Sequence, residues 1–459
     1  MTQPSVRSGG AELAAFQAVE AQLDLRWPES RIEPSLTRIA ALVDLLGSPQ
    51  HAYPVVHVAG TNGKTSVARM LDALLSRIGL RVGRYTSPHL QCVTERISLD
   101  GVPIGPEHYA EAYHDIEPYV TLVDGGSPVP MSKFEVLTGM ALAAFADAPV
   151  EAAVVEVGLG GSWDATNVVD GAVAAITPIA VDHVEYLGSD IAGIAAEKAG
   201  IIKPGSVVVL AKQPPEVARV IAARSVEMDA TVAREGMEFG VLHRAATGDG
   251  QWLRLQGLGG VYDEVFLPLH GSHQSRNAAL ALAAAEAFFG AGASRSLDID
   301  AVRDAFAAVT APGRLERVRT GPSVILDGAH NPHGARALAS ALRADFSFRR
   351  LIAVVGVMRD KDAHGILAEL EPVVDDVVVT ASSSPRAMDS ADLAVVARQV
   401  FGESRLRVRR CLSDAIDTAL ASAAELDPDS EHVADAAVVI TGSMAMVGEA
   451  RTVFGRESG

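Results

Sequence analysis

The chain has 459 residues, of which 48% are hydrophobic and 5% aromatic, and its formal net charge is −18 at pH 7. Because this length exceeds that of one ordinary domain, we expect two or three domains, each with its own apolar core. The acidic balance argues against a nucleic-acid partner, since basic residues cluster only in short pieces such as RLRVRR at 405–410.

Cysteine use and hydropathy bear on the compartment. The two cysteines, Cys92 and Cys411, lie far apart and form no disulfide framework or metal-ligand spacing. No run of 18 or more apolar residues is present, and the N-terminal segment has no apolar stretch suited to a signal peptide. We therefore expect a cytoplasmic protein without a membrane association.

The first strong pattern along the chain is the segment HVAGTNGKTSVARML at 57–71. An apolar run at 53–60 ends in a glycine loop, and residues 65–79 carry apolar side chains at helical spacing and end in Gly79. Strand, loop and helix in this order are typical of a phosphate-binding loop. The usual signature places a first glycine five residues before the second, and that position here is Val58, so the loop is a short variant.

The chemistry of this loop follows from its residue types. Backbone N–H groups of the loop and of the helix N-terminus would hold phosphate oxygens. Lys64 would neutralise the β- and γ-phosphates, and Thr65 or Ser66 would face a magnesium ion. A strand at 80–88 follows at once, which predicts a βαβ unit in a parallel sheet.

Three polar residues follow the ends of predicted strands: Ser87, Glu156 and His183. Ligand sites in open parallel sheets form beyond the carboxyl ends of strands, so we expect these side chains to meet beside the glycine loop. Hydroxyl, carboxylate and imidazole groups there would ligate a magnesium ion that bridges nucleotide phosphates. The plainer alternative for each residue alone is a structural hydrogen bond.

Lys198 occupies an apolar helix predicted at 190–200, where an unpaired ammonium is costly. Its side chain would either reach water or pair with Glu197 or Asp190, and its spacing does not decide between these.

The remaining pattern is α/β. It predicts a helix at 133–146, strands at 150–158 and 171–179, an antiparallel insertion between about 231 and 270, and a helix at 272–290. After Pro312, apolar strands alternate with helices again, which indicates a second, smaller parallel unit. We predict one domain over 1–311 and a second over 312–459.

Taken together, these motifs resemble the folylpolyglutamate synthase/dihydrofolate synthase family of the Mur ligase superfamily. The resemblance runs from about residue 30 to 450 in ordered pieces, which include HVAGTNGKTS, RYTSPHL, KFEVLTG, EVGLGG, DATN, VDHVEYLG, EKAGI, SRNAAL, PGRLE, DGAHNP and a final TGS. It implies a P-loop central domain with a small antiparallel insertion, a Rossmann-like C-terminal domain, and an active site in the cleft between them.

The resemblance also implies site residues and roles. Catalytic roles fall to Lys64, Glu156, His183 and Lys198, with Lys198 matching a carbamylated lysine (N6-carboxylysine) and Ser87, Glu156 and His183 matching Mg²⁺ ligands. ATP contacts match Gly60, Thr61, Asn62, Gly63, Lys64, Thr65, Ser66, Asn277, Arg314 and Asp327, with Asp327 on the ribose side. Pterin-side contacts match Ile32, Glu33, Pro34, Phe134, Glu135, Trp163 and Asp164, while His330 and Ser443 are candidates for the incoming glutamate.

The implied activity is ATP-dependent addition of L-glutamate to dihydropteroate and to reduced folates through an acyl phosphate, by a monomer that uses ATP and Mg²⁺. The alternative activity is that of a monofunctional dihydrofolate synthase. A cell-wall Mur ligase is disfavoured, because only 56 residues precede His57 and a UDP-binding domain needs more. A regulatory P-loop protein would not need the strand-end and C-terminal motifs together.

Two positions depart from the family pattern. Thr65 stands where many members have glycine, and in having threonine here the chain resembles the related Mur ligases instead. Ser162 stands in GGSWDATN where an arginine is often found. The second departure bears on how a substrate carboxylate or pteridine is held.

Overall fold

The structure, a computed structural model, describes residues 8–28, 33–290, 296–424 and 436–457. The strands are β1 Val55–Ala59, β2 Val82–Tyr85, β3 Ile97–Leu99, β4 Val102–Pro103, β5 Ala152–Glu156, β6 Gly171–Ile176, β7 Val207–Leu210, β8 Thr231–Arg234, β9 Gly240–Thr247, β10 Gly250–Gln256, β11 Val261–Leu267, β12 Glu316–Thr320, β13 Ser323–Leu326, β14 Arg350–Val355, β15 Asp376–Val379, β16 Leu406–Val408 and β17 Ala436–Thr441. The helices are α1 Ser8–Asp24, α2 Thr37–Leu45, α3 Lys64–Arg77, α4 Pro106–Gly126, α5 Lys133–Asp147, α6 Val184–Leu187, α7 Ile191–Ala199, α8 Pro215–Glu227, α9 Ser272–Phe288, α10 Ile299–Ala307, α11 Pro332–Asp345, α12 Ala363–Leu370, α13 Ser390–Phe401, α14 Leu412–Ala424 and α15 Met444–Val453. Single 3-10 turns lie at Pro49–His51, Val93–Arg96, Ala165–Val168 and Glu371–Val373.

The main sheet of the N-terminal part, by which we mean the residues before Pro312, has the order β4-β3-β2-β5-β1-β6-β7-β8. Strands β2, β5, β1, β6, β7 and β8 are parallel, and β3 and β4 add an antiparallel edge. Every residue of β1 and β5 is buried. Successive side chains of a strand point to opposite faces, so Val56 and Val58 pack with α3 and α9 while Val55 packs with α4 and α5. Helices on both faces explain why these strands read as continuous apolar runs.

The antiparallel insertion is smaller than the sequence predicts. Strands β9, β10 and β11 form the three-stranded antiparallel sheet, and they cover one side of the core together with α9 and α10. Strand β8, at the start of the expected insertion, instead pairs in parallel with β7 and ends the main sheet. The prediction that the insertion begins near 231 is therefore wrong, because TVAR is too short to distinguish a parallel edge strand from a hairpin strand.

The C-terminal part, from Pro312 onward, contains a sheet of order β12-β13-β17-β14-β15-β16. Strands β13, β17, β14, β15 and β16 are parallel, and β12 is antiparallel to β13. Two apolar clusters lie on the two faces of this sheet. The buried residues of both clusters all follow Pro312, and those of the other three core clusters all precede it. The domain bounds themselves stay a prediction.

No helix in the described ranges is long and apolar enough to cross a membrane.

Candidate functional site

A cleft of about 1150 Å³ lies between the N-terminal and C-terminal parts. The glycine loop, the ends of β2 and β5 and the segment after β6 contribute to one wall, and residues of the C-terminal part contribute to the other. Of the predicted site residues within the described ranges, all except Pro34 line this cleft. Pro34 is exposed outside the cleft, because the chain there runs over the surface before α2, and Ile32 lies outside the described residues.

The glycine loop is built by positions that exclude side chains. Gly60 has φ of 137°, and a Cβ there would lie 1.9 Å from Thr177 Oγ1. Gly63, which begins α3, has φ of 96°, and its Cβ would lie 2.8 Å from Asn277 Oδ1. Both backbone conformations favour glycine, so the short loop needs glycine at both positions. The first N–H groups of α3 have no acceptor within the helix and are available to an anion.

Thr61 anchors this loop to the segment after β6. Its backbone N donates to Pro178 O at 3.0 Å, and its hydroxyl donates to Ala180 O at 2.9 Å and accepts from Ala180 N at 3.0 Å. Lys64 Nζ lies 3.4 Å from Thr61 O and faces the cleft. The loop therefore presents an ammonium and free N–H groups from a fixed backbone.

Glu156, at the end of β5, contacts both Thr65 of the glycine loop and Ser87, another predicted metal ligand. Thr65 Oγ1 donates to Glu156 Oε1 at 3.0 Å, and Ser87 N lies 3.4 Å from Glu156 Oε2. The Glu156 side chain is buried, and burial raises the pKa of its carboxyl despite the nearby Lys64. The strand order explains the meeting, since β5 lies between β2 and β1 and the three strand ends become neighbours.

His183 completes the predicted set at the same edge. It begins the short helix α6 with φ of 51°, and it is half-buried. Burial lowers the pKa of its imidazole to about 4, although Asp182 opposes this change, so the ring is neutral at pH 7.

A set of side chains joins the two parts beside the loop, and we call Asp182, Asn331 and Lys361 the Asp182 cluster. Lys361 Nζ lies 2.6 Å from Asp182 Oδ1, and both side chains are 7% exposed. Asn331 Nδ2 donates to Asp182 Oδ2 at 2.8 Å. Burial alone would raise the pKa of Asp182, but Lys361 and the neighbouring histidines outweigh it and hold that pKa well below its ordinary value.

Asn62 of the glycine loop joins this contact. Its amide and that of Asn331 donate to each other's oxygen, both at 3.1 Å, and Asn62 Nδ2 also lies 2.9 Å from His333 Nδ1. The loop itself is thus bonded to the C-terminal part.

Lys198 is buried in α7 and lines the cleft. Burial and the nearby Lys64 lower the pKa of its amine to about 7. Asp190 caps α7 through Ala192 N and Gly193 N, and Glu197 accepts a hydrogen bond from Ser162 Oγ at 2.5 Å. The two acidic residues considered as partners are therefore engaged elsewhere, and at 5% exposure the lysine does not reach bulk water.

Ser162 does not line the cleft. Besides the contact of its hydroxyl with Glu197, its backbone N donates to Glu197 O at 3.0 Å. The serine that replaces the expected arginine therefore binds the 158–164 loop to the helix that carries Lys198.

The predicted pterin-side carboxylates hold local structure. Glu135 accepts from Arg38 Nε at 3.0 Å and, at the start of α5, from Ser132 N at 2.8 Å. Asp164 accepts from Leu159 N at 2.8 Å and from Thr166 N at 3.0 Å. Contacts of these residues and of Glu33, Phe134 and Trp163 with a substrate stay predictions.

Of the remaining predicted residues, Arg314, Asp327, His330 and Ser443 belong to the C-terminal part. Asn277 lies on α9, beside Gly63 of the glycine loop. Asp327, buried after β13, accepts from Leu315 N and Ala329 N, both at 2.9 Å. Arg314 Nη1 lies 3.2 Å from Gly313 O. His330 Nδ1 lies 2.8 Å from Gly328 O, and Ser443 Oγ accepts from Met446 N at the start of α15. Asn277, on α9, donates to Gln274 Oε1 at 3.1 Å.

Sequence reasoning missed Arg38, Asp182 and Lys361. Asp182 directly precedes His183, and Lys361 lies in the polar segment RDKD after β14, so strand-end position was an available signal for both. Arg38 lies within α2, where nothing in the pattern distinguishes it from a surface arginine.

The donor set suits Mg²⁺ only with a phosphate present. Within the described ranges, no group of three or more His, Cys, Asp or Glu side chains could hold a metal ion. Mg²⁺ is commonly bound by one or two carboxylates together with substrate phosphates and water. The single carboxylate of Glu156 beside Ser87 and the anion-binding loop fits that requirement.

Comparisons with known proteins agree with this geometry. The family model described as Mur ligase middle domain matches residues 128–285, and the one described as Mur ligase, glutamate ligase domain matches residues 313–444. The dihydrofolate synthase/folylpolyglutamate synthase of Mycobacterium tuberculosis is 58% identical over 463 residues, which cover 97% of this chain and 95% of that protein. The protein of the same name from Escherichia coli is 35% identical, over 79% of this chain and 81% of its own.

Two solved structures show the same fold. The Mycobacterium tuberculosis folylpolyglutamate synthase complexed with ADP has a TM-score of 0.94 at 57% identity, and the match covers 98% of this chain and all of that one. The Escherichia coli FolC in complex with DHPP and ADP has a TM-score of 0.81 at 31% identity, over 96% of this chain and 97% of its own.

Proposed function

Because this chain belongs to the dihydrofolate synthase/folylpolyglutamate synthase family, we propose that it is an ATP-dependent ligase that joins L-glutamate to the carboxylate of dihydropteroate and of reduced folates. The observation that carries the proposal is the cleft in which an anion-binding loop, Lys64 and Glu156 face Asp327 and His330 of the C-terminal part. The relatives' complexes, one with ADP and one with DHPP and ADP, support a nucleotide site beside a site for a second small molecule.

The proposed chemistry has two steps. A carboxylate oxygen of the folate-type substrate attacks the γ-phosphorus of ATP, the bond to the β-phosphate oxygen breaks, and ADP and an acyl phosphate form. The amine of L-glutamate then attacks the acyl carbon, the amide bond forms, and inorganic phosphate leaves as the nitrogen loses a proton. Lys64 and the N–H groups of the loop stabilise the charge on the transferred phosphoryl group.

We assign Mg²⁺ to Glu156, Ser87 and His183, with nucleotide phosphates as the remaining ligands. When bound, the ion neutralises phosphate charge during transfer. The Thr65 hydroxyl donates a hydrogen bond to Glu156 and thereby orients this carboxylate. A glycine at position 65 has no side chain with which to do so.

The contact between the two parts excludes water from the cleft. An acyl phosphate hydrolyses if water reaches it, so the cleft must be closed while the intermediate exists. The Asp182 cluster and Asn62 bind the C-terminal part to the loop at this point. Arg314 and Asp327 then approach ATP from the opposite wall.

We further propose that Lys198 is carbamylated. Only the neutral amine reacts with CO₂, and an amine with a pKa of about 7 is largely neutral above that pH, unlike an ordinary lysine. The neutral amine attacks the carbon of CO₂, an N–C bond forms and the nitrogen releases a proton, so a group that as an ammonium repels Lys64 becomes a carboxylate-like anion that attracts it. Protein equilibrated with [¹³C]bicarbonate should show a carbamate carbon signal that Lys198→Gln lacks. An unchanged spectrum in that variant would remove the assignment.

The decisive assay for the main proposal measures ADP release with ATP, Mg²⁺ and L-glutamate, with dihydropteroate and with tetrahydrofolate monoglutamate in separate reactions. Turnover that requires L-glutamate and occurs with both acceptors is expected. Turnover with dihydropteroate alone would instead identify a monofunctional dihydrofolate synthase, and ADP release independent of both acceptors would contradict a ligase. The same preparation, examined by sedimentation, tests the expected monomer.

A further inference from the structure

The loop at 88–92, which directly follows Ser87, is held by the C-terminal part. Leu90 is half-buried and packs on the apolar cluster that contains Val447 and Ala450. Gly448 lies against the backbone of this leucine, since a Cβ at Gly448 would be 2.0 Å from Leu90 O. No larger residue fits at 448 while the loop keeps its position.

Gln91 is bound from three sides by α15 and the segment after it. Its Oε1 accepts from Arg451 Nε at 2.8 Å, and its Nε2 donates to Arg456 O at 2.9 Å and to Thr452 Oγ1 at 3.2 Å. Arg451 is itself buried and fixed by Glu316, whose oxygens lie 2.8 and 2.7 Å from Nη1. The Gln91 amide is thus held at its oxygen by an arginine that Glu316 fixes and at its nitrogen by two exposed hydrogen bonds.

The N-terminal part holds the other side of the same loop through one carboxylate. Glu95 is buried and accepts from the backbone N of Leu90, Gln91 and Cys92 at 2.8 to 2.9 Å. These three hydrogen bonds fix residues 90–92, and Arg96 Nε, 3.0 Å from His89 Nδ1, fixes the residue before them. Ser87 precedes it and approaches Glu156 through its backbone N.

From this placement we infer that Leu90 and Gln91 are positioning residues that let the C-terminal part set the place of Ser87 at the nucleotide site. The inference rests on the proposed function, because it takes Ser87 as a ligand of the nucleotide's Mg²⁺. A rotation of α15 moves Leu90 and Gln91, and the rigid loop passes that movement to Ser87. Closure of the cleft and completion of the metal site are then one event.

The test compares Gly448→Ala, Gln91→Ala and Gln91→Glu with the wild type. Gly125→Ala is the matched control, because a Cβ at Gly125 meets nothing within 4 Å. For Gly448→Ala, the Mg²⁺ concentration that half-saturates ADP release should rise roughly 10- to 100-fold, as for other residues that orient metal ligands. Gln91→Ala should change it in the same direction by less. Gln91→Glu should lie nearer the wild type, since its carboxylate still accepts from Arg451.

A second readout does not depend on turnover. Calorimetric titration of ATP at increasing Mg²⁺ should show a displacement in the same direction in Gly448→Ala and Gln91→Ala and none in Gly125→Ala. Lower melting temperatures with unchanged Mg²⁺ dependence in both assays would show a merely structural contact and overturn the inference. If Gly448→Ala does not fold, the two Gln91 variants decide. Absence of glutamate-dependent ADP release by the wild type would be a failure of the proposed function, whereas the calorimetric comparison still tests the positioning role.

Discussion

The glycine loop and the Asp182 cluster lie next to each other at the cleft but are constructed in opposite ways. The loop is one continuous segment whose shape comes from the backbone, with glycine required at Gly60 and Gly63. The cluster consists of side chains from both parts of the chain, with Lys361 and Asp182 paired at 2.6 Å. The first can exist in the N-terminal part alone, whereas the second exists only when the two parts meet. Nucleotide binding and its coupling to closure therefore have separate structural origins.

The largest effect is expected at the loop. Lys64→Met should reduce the rate of ADP formation by roughly 10³-fold, because the ammonium that stabilises the transferred phosphoryl group is lost. Melting temperature should change little, since Lys64 lies beside solvent in the cleft. Steady-state kinetics measure the rate of ADP formation, and thermal unfolding measures the melting temperature. A decrease of less than tenfold would mean that another cation acts on the phosphoryl group.

A large effect of a different kind is expected at the Asp182 cluster. Asp182→Asn leaves the buried ammonium of Lys361 with only the more distant Asp360, whose Oδ2 lies 3.9 Å from Nζ, so the free energy of unfolding should fall by up to about 3–5 kcal/mol. Glutamate-dependent turnover should fall, whereas ATP affinity should be retained because the loop keeps its own anchors at Thr61. Calorimetric titration measures ATP affinity, and ADP release with L-glutamate measures turnover.

The double variant Asp182→Leu/Lys361→Met supplies the control. Because it removes both buried charges, its free energy of unfolding should exceed that of either single variant. Equal loss of ATP affinity and turnover in Asp182→Asn would contradict the separation between loop and cluster.

The smallest effect concerns the strand beneath the loop. His57 is buried in β1, its Nε2 lies 3.0 Å from Thr166 Oγ1, and burial lowers its pKa to about 3. Below pH 6.5 the unfolded chain binds a proton at this residue that the folded chain rejects. Stability is therefore lost as pH falls from about 6.5 towards 3, by about 1.4 kcal/mol per pH unit for each such histidine. Urea unfolding at pH 7 and pH 5 measures this slope.

His57→Gln keeps a donor for Thr166. The dependence of its unfolding free energy on pH should be weaker by the contribution of one titrating group. Other buried histidines such as His273, whose pKa burial lowers to about 4, supply the rest of the dependence. An identical slope in the variant would show that His57 does not stay neutral in the folded chain.

Local patterns allowed much of this structure to be predicted. The strand and helix around the glycine loop, the helix of Lys198 and the alternating strands after Pro312 are all present, because each is specified by its own apolar spacing and breakers. A rule about strand ends predicted that Ser87, Glu156 and His183 meet beside the loop. All three line the cleft, and the strand order explains the contact of Ser87 with Glu156, whereas their role as metal ligands stays a prediction. The short strand β8 was misjudged because four residues carry too little pattern.

What sequence could not show were contacts between distant side chains. Nothing near Asp182 indicates that Lys361 will neutralise it, and nothing near Leu90 indicates that Gly448 leaves room for its carbonyl. Such contacts arise from the way the two parts dock, which periodicity does not encode. The same holds for Ser162. Its position in the motif indicated a substrate contact, but its hydroxyl binds Glu197 of α7, the helix that carries Lys198.

The strand order of the main sheet has a consequence for biosynthesis. Strand β5 lies between β1 and β2 and is synthesised long after both, so β1 cannot pair with either final neighbour as it emerges, and β2 can pair only with β3. Parallel pairing over such separations forms slowly. The nucleotide loop therefore leaves the ribosome early but gains its neighbouring strand late, because the place between the apolar strands β1 and β2 stays unfilled until residue 156 has been synthesised.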